Sequence, residues 1–258
     1  MKEKEGHYIY CIAAMNEEQD FPVKGIGDHG DRVYSICYKD IVAVISDSPV
    51  VKYPVNRKNT MAHQLVMEEV MKEYTILPVR FCTIAEAMDE VSAKDRIKEK
   101  ILKERYDEFK TLLAEMDNKA ELGVKALWTD MDLIFEEILE TSKEIRMLKK
   151  KLGSMKGTEG HNERIRLGGL VKSALEKRKE KEANTILKPL KKISVDNRIN
   201  DTFGDRMLLN AAFLVDQAQG EKFDSCVNEL QESLNGRIQL RYVGPIPPAN
   251  FVEIVVNW

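Results

Sequence analysis

The stretch from Thr60 to Met88 limits most tightly what this chain can fold into, because its hydrophobic period changes within a few residues. The first half places Met61, Leu65, Val66, Val70 and Tyr74 near one stripe of a helix. Asn59 or Thr60 is the expected N-cap, since a short side-chain oxygen there accepts the first free backbone N–H groups. Ile76-Leu77-Pro78-Val79-Arg80-Phe81 then breaks the pattern: proline lacks the N–H a helix needs and holds the preceding residue extended. We read a short strand with Pro78 at its start or on an edge. A helix delivered straight onto a strand is a packing unit, so the flanking elements should be built around it.

Upstream, Tyr8-Ile9-Tyr10-Cys11-Ile12-Ala13-Ala14 is rich in strand formers and suits a buried strand. Asn16 to Asp31 is polar and reads as loop. Its Gly25-Ile-Gly-Asp-His-Gly30 has the spacing of a dinucleotide-binding G-x-G-x-x-G, but that motif needs a strand before it and a helix after it. The next segment, Arg32 to Tyr38, is instead an alternating strand, so the glycines are read as loop residues supplying positive φ. Lys39-Asp40 then makes a two-residue turn to Ile41–Ser46. Pro49, Tyr53 and Pro54 mark a loop before the central unit. The first domain, residues 1–118, thus reads β, β, β, α, β: an α+β sandwich with helix on one sheet face, ending in a long helix.

That long helix runs from Ser92, in a loose capping box with Asp95, to Met116, and Asp117-Asn118 stops it. Glu121 to Trp128 looks like a strand entering a second α+β domain, residues 119–258. Thr129 to Asp132 caps the next helix, in which Ile134, Ile138, Thr141, Ile145, Leu148 and Leu152 form a heptad seam. Gly153, Gly157 and Gly160 break it, and a second charged helix comes after them, with Ile165, Leu167, Leu170, Val171, Leu175, Ile186, Leu187 and Leu190. The pair reads as an antiparallel helical hairpin over about 130–193. Lys177 to Glu182 mixes both signs and is read as a solvated face. Met207 to Val215 is apolar apart from Asn210, as in a strand covered on both faces. From Gly220 a helix buries Phe223, Val227, Leu230 and Leu234 and ends at Asn235-Gly236. Ile238, Leu240 and Tyr242 alternate into Gly244-Pro245-Ile246-Pro247-Pro248-Ala249-Asn250-Phe251, a stiff segment that cannot join a sheet interior.

Composition excludes several classes. Lys+Arg 40 against Asp+Glu 43 lacks the basic excess of a nucleic-acid binder. No apolar run approaches the ~18 residues of a membrane span, and the charged N-terminus has no secretory apolar core. The expectation is a cytoplasmic protein with a real core, apolar residues being 43% of the chain. Cys11, Cys37, Cys82 and Cys226 form no C-x-x-C pair and read as buried thiols. An enzyme would need a cluster such as His63 with Glu68 or Glu69, or a nucleophilic Cys82. Yet five residues carry the chain roughly 500° around a helix, so His63 and Glu68 do not stack, and His63 reads as a packed or capping residue. His7, His29 and His161 have no ligand spacing. A small-molecule sensor with tandem ferredoxin-like domains is a further alternative that fold alone does not establish. No catalytic, cofactor-binding or metal residue is assigned.

Three motifs carry a resemblance. Thr75-Ile76-Leu77-Pro78-Val79-Arg80-Phe81 after His63, Asn210-Ala211-Ala212-Phe213-Leu214-Val215, and Gly244-Pro245-x-Pro247-Pro248 with Phe251 match, in order, those of the gas vesicle protein family GvpF/GvpL. Glu121-Leu-Gly-Val-Lys125 is also similar to the family. Cys82 stands where the family has glycine, and Ile246, Ala249 and Asn250 replace its tryptophan, tyrosine and serine. The resemblance implies a ferredoxin-like N-terminal domain and an accessory role in building gas vesicles. It further implies contact with the small shell protein and other accessory gas vesicle proteins. It makes Pro78, Arg80, Phe81, Gly244, Pro245, Pro247, Pro248 and Phe251 the candidate structural or interaction residues.

Overall fold

The computed structural model describes residues 5–27, 31–154 and 159–258. They form two compact units, one running up to Glu121 and including Gly244–Trp258, the other Leu122–Val243. The mixed α+β class expected from the sequence is what the chain adopts, with a separate sheet in each unit.

The first unit holds β1 (Glu5–Ala13), β2 (Asp20–Lys24), β3 (Arg32–Tyr38), β4 (Ile41–Pro49), β5 (Ile76–Pro78) and β6 (Ile84–Glu86), in the order β2-β3-β4-β1-β5 with β6 also paired to β1. β1 is the axis: Tyr8 through Ala13 are fully buried. It pairs antiparallel with β4 along its whole length, and β5 and β6 share its other edge in tandem. Gly6 is required there, because a Cβ on it would lie 2.5 Å from the Ala85 carbonyl oxygen. A bulge between Ile9 and Cys11 shifts the alternation. Tyr8, Tyr10, Cys11 and Ala13 therefore all enter one core, with Val66, Met67 and Val70 of α1 (Arg57–Met71).

Several local expectations are corrected. Asn56, not Asn59 or Thr60, caps α1, its side chain accepting from the Asn59 N–H at 2.9 Å. The helix therefore starts earlier, and the face it buries is His63, Val66, Met67 and Val70, with Met61 and Leu65 exposed. The expected loop from Asn16 contains β2, which the hydrogen-bonding edge of β3 recruits. Gly25 and Gly27 lie between two strands; Gly27 has φ 99°, and positions 28–30 fall outside the described residues. Ile41, Ala43 and Ile45 are as buried as Val42 and Val44, so both faces of the sheet are covered, not one. The long helix from Ser92 is interrupted: α2 (Ala93–Arg96) widens into a π-type turn, Ile97–Lys103, before α3 (Tyr106–Met116). Its Glu104 N–H reaches back five residues to the Glu99 carbonyl, and it packs on β3 and β4.

The second unit carries β7 (Lys119–Trp128), β8 (Asp196–Ile199), β9 (Met207–Asp216) and β10 (Ile238–Ile246), in the order β10-β7-β9-β8. Its helices are α4 (Met131–Thr141), α5 (Lys143–Gly153), α6 (Glu159–Lys191) and α7 (Gly220–Ser233). The heptad seam is real but its helix is not continuous. Ser142 sits extended at φ −103° and ψ 104° and accepts from the Ile145 N–H, capping α5 afresh. Ile134 and Ile138 of α4 and Ile145 of α5 nevertheless share one core with Leu175, Ile186 and Leu190 of α6. The expected break at Gly157 lies outside the described residues. Gly160 falls inside α6, where the expectation had it breaking the helix.

Candidate functional site

The candidate residues Pro78, Arg80 and Phe81 leave the end of β5, where α1 delivers the chain onto the sheet. Val79 N–H donates to the Tyr10 carbonyl at 2.9 Å, which ties this segment to β1. The next polar groups turn the other way. Ile254 N–H donates to the Pro78 carbonyl at 2.7 Å, and Arg80 N–H donates to the Ile254 carbonyl at 2.9 Å. The C-terminal segment thus adds itself parallel to β5 through a bridge between Val79 and Ile254. Arg80 also meets Glu253, Nε and Nη2 each 3.2 Å from one carboxylate oxygen. Both side chains are about half exposed, so this pair adds at most about 1 kcal/mol.

The tail reaches that position through its prolines. Gly244 and Pro245 are exposed, joined by a cis peptide, whereas Pro247 and Pro248 are buried. Phe251 N–H and Val252 N–H both donate to the Pro248 carbonyl at 3.0 Å, closing a turn that sends Val252 and Ile254 inward. Glu121, 1% exposed, clasps this turn by accepting from the Asn250 N–H at 2.9 Å and from its Nδ2 at 2.5 Å. Burial pushes the Glu121 carboxyl up, and the two Asn250 bonds oppose that shift. Beyond it, Val255–Trp258, Arg80–Ile84 and Val50–Lys52 line a groove of about 550 Å³. The described candidates are thereby divided: Pro78, Arg80, Phe81 and the end of the tail converge, while Gly244 and Pro245 stand at the tail's far end.

Beneath the groove lies a buried aromatic cage that sequence reasoning missed. His63 of α1 stacks on Tyr10 at 5.7 Å and meets Tyr8 and Phe81 edge-on, each at 5.6 Å. Cys82 N–H donates to the Tyr8 hydroxyl at 2.8 Å, so that hydroxyl directs its own proton to His63 Nδ1, 3.0 Å away. The Val79 backbone lies close enough to the ring to favour its charged form. Burial lowers the His63 pKa to about 4, the Val79 bond opposing the shift, and the ring is neutral. With its Nδ1 paired to the Tyr8 hydroxyl and its ring packed among three aromatic side chains, His63 is held as part of the core. Among the described residues, no group of three His, Cys, Asp or Glu is arranged to hold a metal ion. The signal for the cage was present in the i, i+2 spacing of Tyr8 and Tyr10, which puts two rings on one sheet face.

Cys82 shows why the glycine expected from the resemblance suits this position. Its φ is 64°, in the left-handed region. The thiol is retained as an acceptor for the Tyr53 N–H at 3.2 Å.

A family model described as gas vesicle synthesis protein GvpL/GvpF matches residues 6–253. The chain belongs to that family. Its role is accordingly that of an accessory protein of gas vesicles. Gas vesicle protein F of Streptomyces sp. (strain CB03234) is 30% identical over 95% of this chain and 99% of its own length. Gas vesicle protein F1 of Halobacterium salinarum is 25% identical over 98% and 95%. The crystal structure of GvpF from Anabaena sp. PCC7120 superposes with a TM-score of 0.80 at 22% identity, covering 97% of this chain and 99% of that one. That of Microcystis aeruginosa gives 0.75 at 23% identity, covering 95% and 98%. At these identities the likeness to the two crystal structures speaks to fold.

A second constellation, in the Leu122–Val243 unit, also escaped the sequence reading. Arg237 at the foot of β10 grips Glu137 of α4 with two parallel bonds of 2.8 Å and reaches Glu182 of α6 at 3.0 Å. Arg178 bonds the same two carboxylates, and Trp128 Nε1 donates to Glu182 at 2.6 Å. Hydrogen bonds and charge from the guanidinium groups hold Glu137 below the ordinary carboxylate range. Such a closed ring of two cations and two anions locks two helices to the sheet.

Proposed function

We propose that this chain assists the nucleation or growth of the gas vesicle shell by contacting the small shell protein, together with other accessory gas vesicle proteins, in the cytoplasm. The observation that carries the reading is the match over residues 6–253 to a family described by gas vesicle synthesis. Within the chain we assign the contact to the face made by Arg80, Phe81 and the end of the tail. Arg80 and Trp258 are exposed there beside an open groove, while Pro78, Pro247 and Pro248 act by holding backbone in place. The two compact units serve as two domains of one assembly factor, not as a catalyst: among the described residues, the buried histidine at this face, His63, packs in the aromatic cage.

The test is reconstitution of the gas vesicle gene cluster in a heterologous host, with vesicles scored by pressure-sensitive light scattering. Loss of the chain should abolish vesicles. Arg80→Glu combined with Trp258→Ala should lower their number and weaken capture of the shell protein by the purified full-length chain. Normal vesicles without the chain would overturn the assembly role, and unchanged capture by the folded double variant would overturn the assigned face.

A further inference from the structure

Charge is distributed very unevenly along this chain. Residues 143–192 contain sixteen Lys/Arg and six Asp/Glu, leaving 24 and 37 to everything else. A protein of net charge −3 therefore carries a segment with a basic excess of ten. Among the described residues, most of that segment is α5 and α6. On α5 Lys143, Arg146, Lys149 and Lys150 are exposed, and on the first half of α6 so are Arg164, Arg166 and Lys172. Lys151 pairs with Glu163 at 2.8 Å and Arg166 with Glu144 at 3.0 Å. Lys143, Lys149, Lys150, Arg164 and Lys172 have no acidic partner among the described residues.

Two large apolar side chains stand out in water within this basic region, Met147 at 63% and Ile165 at 62% exposure. Met147 lines a shallow groove of about 540 Å³ with Lys143, Glu144, Leu148, Lys151 and Arg166. We propose that α5 and the first half of α6 form a docking face for an acidic amphipathic helix of another protein. Its apolar stripe would cover Met147 and its carboxylates would meet the unpaired lysines. The chemistry favours this occupant over other polyanions. A phosphate backbone would satisfy the lysines and leave Met147 and Ile165 in water. A bilayer needs a broad apolar face to bury, and α5 spends its Ile145 and Leu148 on the protein's own core. Methionine, unbranched and polarisable, suits a groove that must adapt to another helix. The inference rests on the charge and exposure of this unit and holds whether or not the shell protein binds elsewhere.

The test uses the full-length chain and a fluorescent peptide in which leucines at helical spacing alternate with glutamates. Polyglutamate, vesicles of phosphatidylcholine with phosphatidylserine, and duplex DNA serve as competing probes, and circular dichroism checks that each variant is folded. The peptide should bind more tightly than any of the other three. Lys149→Glu with Lys150→Glu should weaken it by about tenfold or more, and added salt should weaken it too. Met147→Ser should weaken the peptide while leaving polyglutamate unchanged. Equal binding of peptide and polyglutamate, tighter binding of vesicles or DNA, or indifference of peptide binding to the charge reversal would each overturn the proposal.

Discussion

Replacing His63 by glutamine should remove a pH dependence of stability that the wild-type chain owes to this one ring. In the folded chain burial holds the His63 pKa at about 4, against an ordinary value of 6.5. Folding therefore favours the neutral ring, and the unfolded chain binds more protons at every pH between those values. The contribution is complete above the unfolded pKa, is lost as pH falls from there toward about 4, and changes no further below that. A gap of about 2.5 pH units corresponds to roughly 3 kcal/mol, of which roughly 2 kcal/mol is already lost at about pH 5. Glutamine keeps a polar group for the Tyr8 hydroxyl without titrating. His7 is also lowered by burial, so the informative quantity is the difference in pH slope between the two proteins. Urea unfolding at about pH 7.5 and about pH 5 should show wild type losing roughly 2 kcal/mol more than His63→Gln. Ring-proton NMR should show His63 neutral throughout that interval. Equal slopes, or a ring titrating near its ordinary value, would refute the argument that the cage excludes charge.

The other predictions each rest on a single contact. At Cys82, with φ 64°, glycine should exceed alanine in stability by about 1 kcal/mol, since neither keeps the thiol and only the backbone preference differs; equal melting temperatures would mean the turn relaxes. Ile145→Asp should cost more than about 3 kcal/mol, because Ile145 is 2% exposed at the junction of α5 with α6; an unchanged melting curve would mean that this seam is not dry. Arg237→Met should cost about 2 kcal/mol by leaving Glu137 and Glu182 to share the one cation of Arg178, a loss that added salt should partly restore; calorimetry as a function of ionic strength measures both.

Local chemistry made much of this protein legible in its sequence. Pro78 in an apolar run marked a short edge strand after the helix, although it closes β5 and does not open it; Lys39-Asp40 closed a hairpin, and Asn235-Gly236 ended α7 with φ of 47° and 73°. Each of these depends on φ/ψ preferences of residues adjacent in the chain. The Met207–Asp216 strand was equally plain, since covering on both faces leaves a run apolar but for Asn210 up to Val215. What escaped depended on partners far along the chain. The bulge in β1 decided that Tyr10 and Cys11 share a face, and periodicity alone assigns them to opposite ones. That His63 packs is expected of a histidine on an amphipathic helix, but its neutrality follows from burial in the cage, a property of desolvation that no spacing encodes. Ser142 split a helix whose seam continues unbroken, because the cap costs little where α6 supplies the packing. The proline-rich tail, last in chain order, joins the first unit because Pro78 and Arg80 leave backbone groups that only an incoming strand can satisfy. Propensity acts between neighbours, whereas hydrogen-bond satisfaction and burial are settled only when distant segments meet.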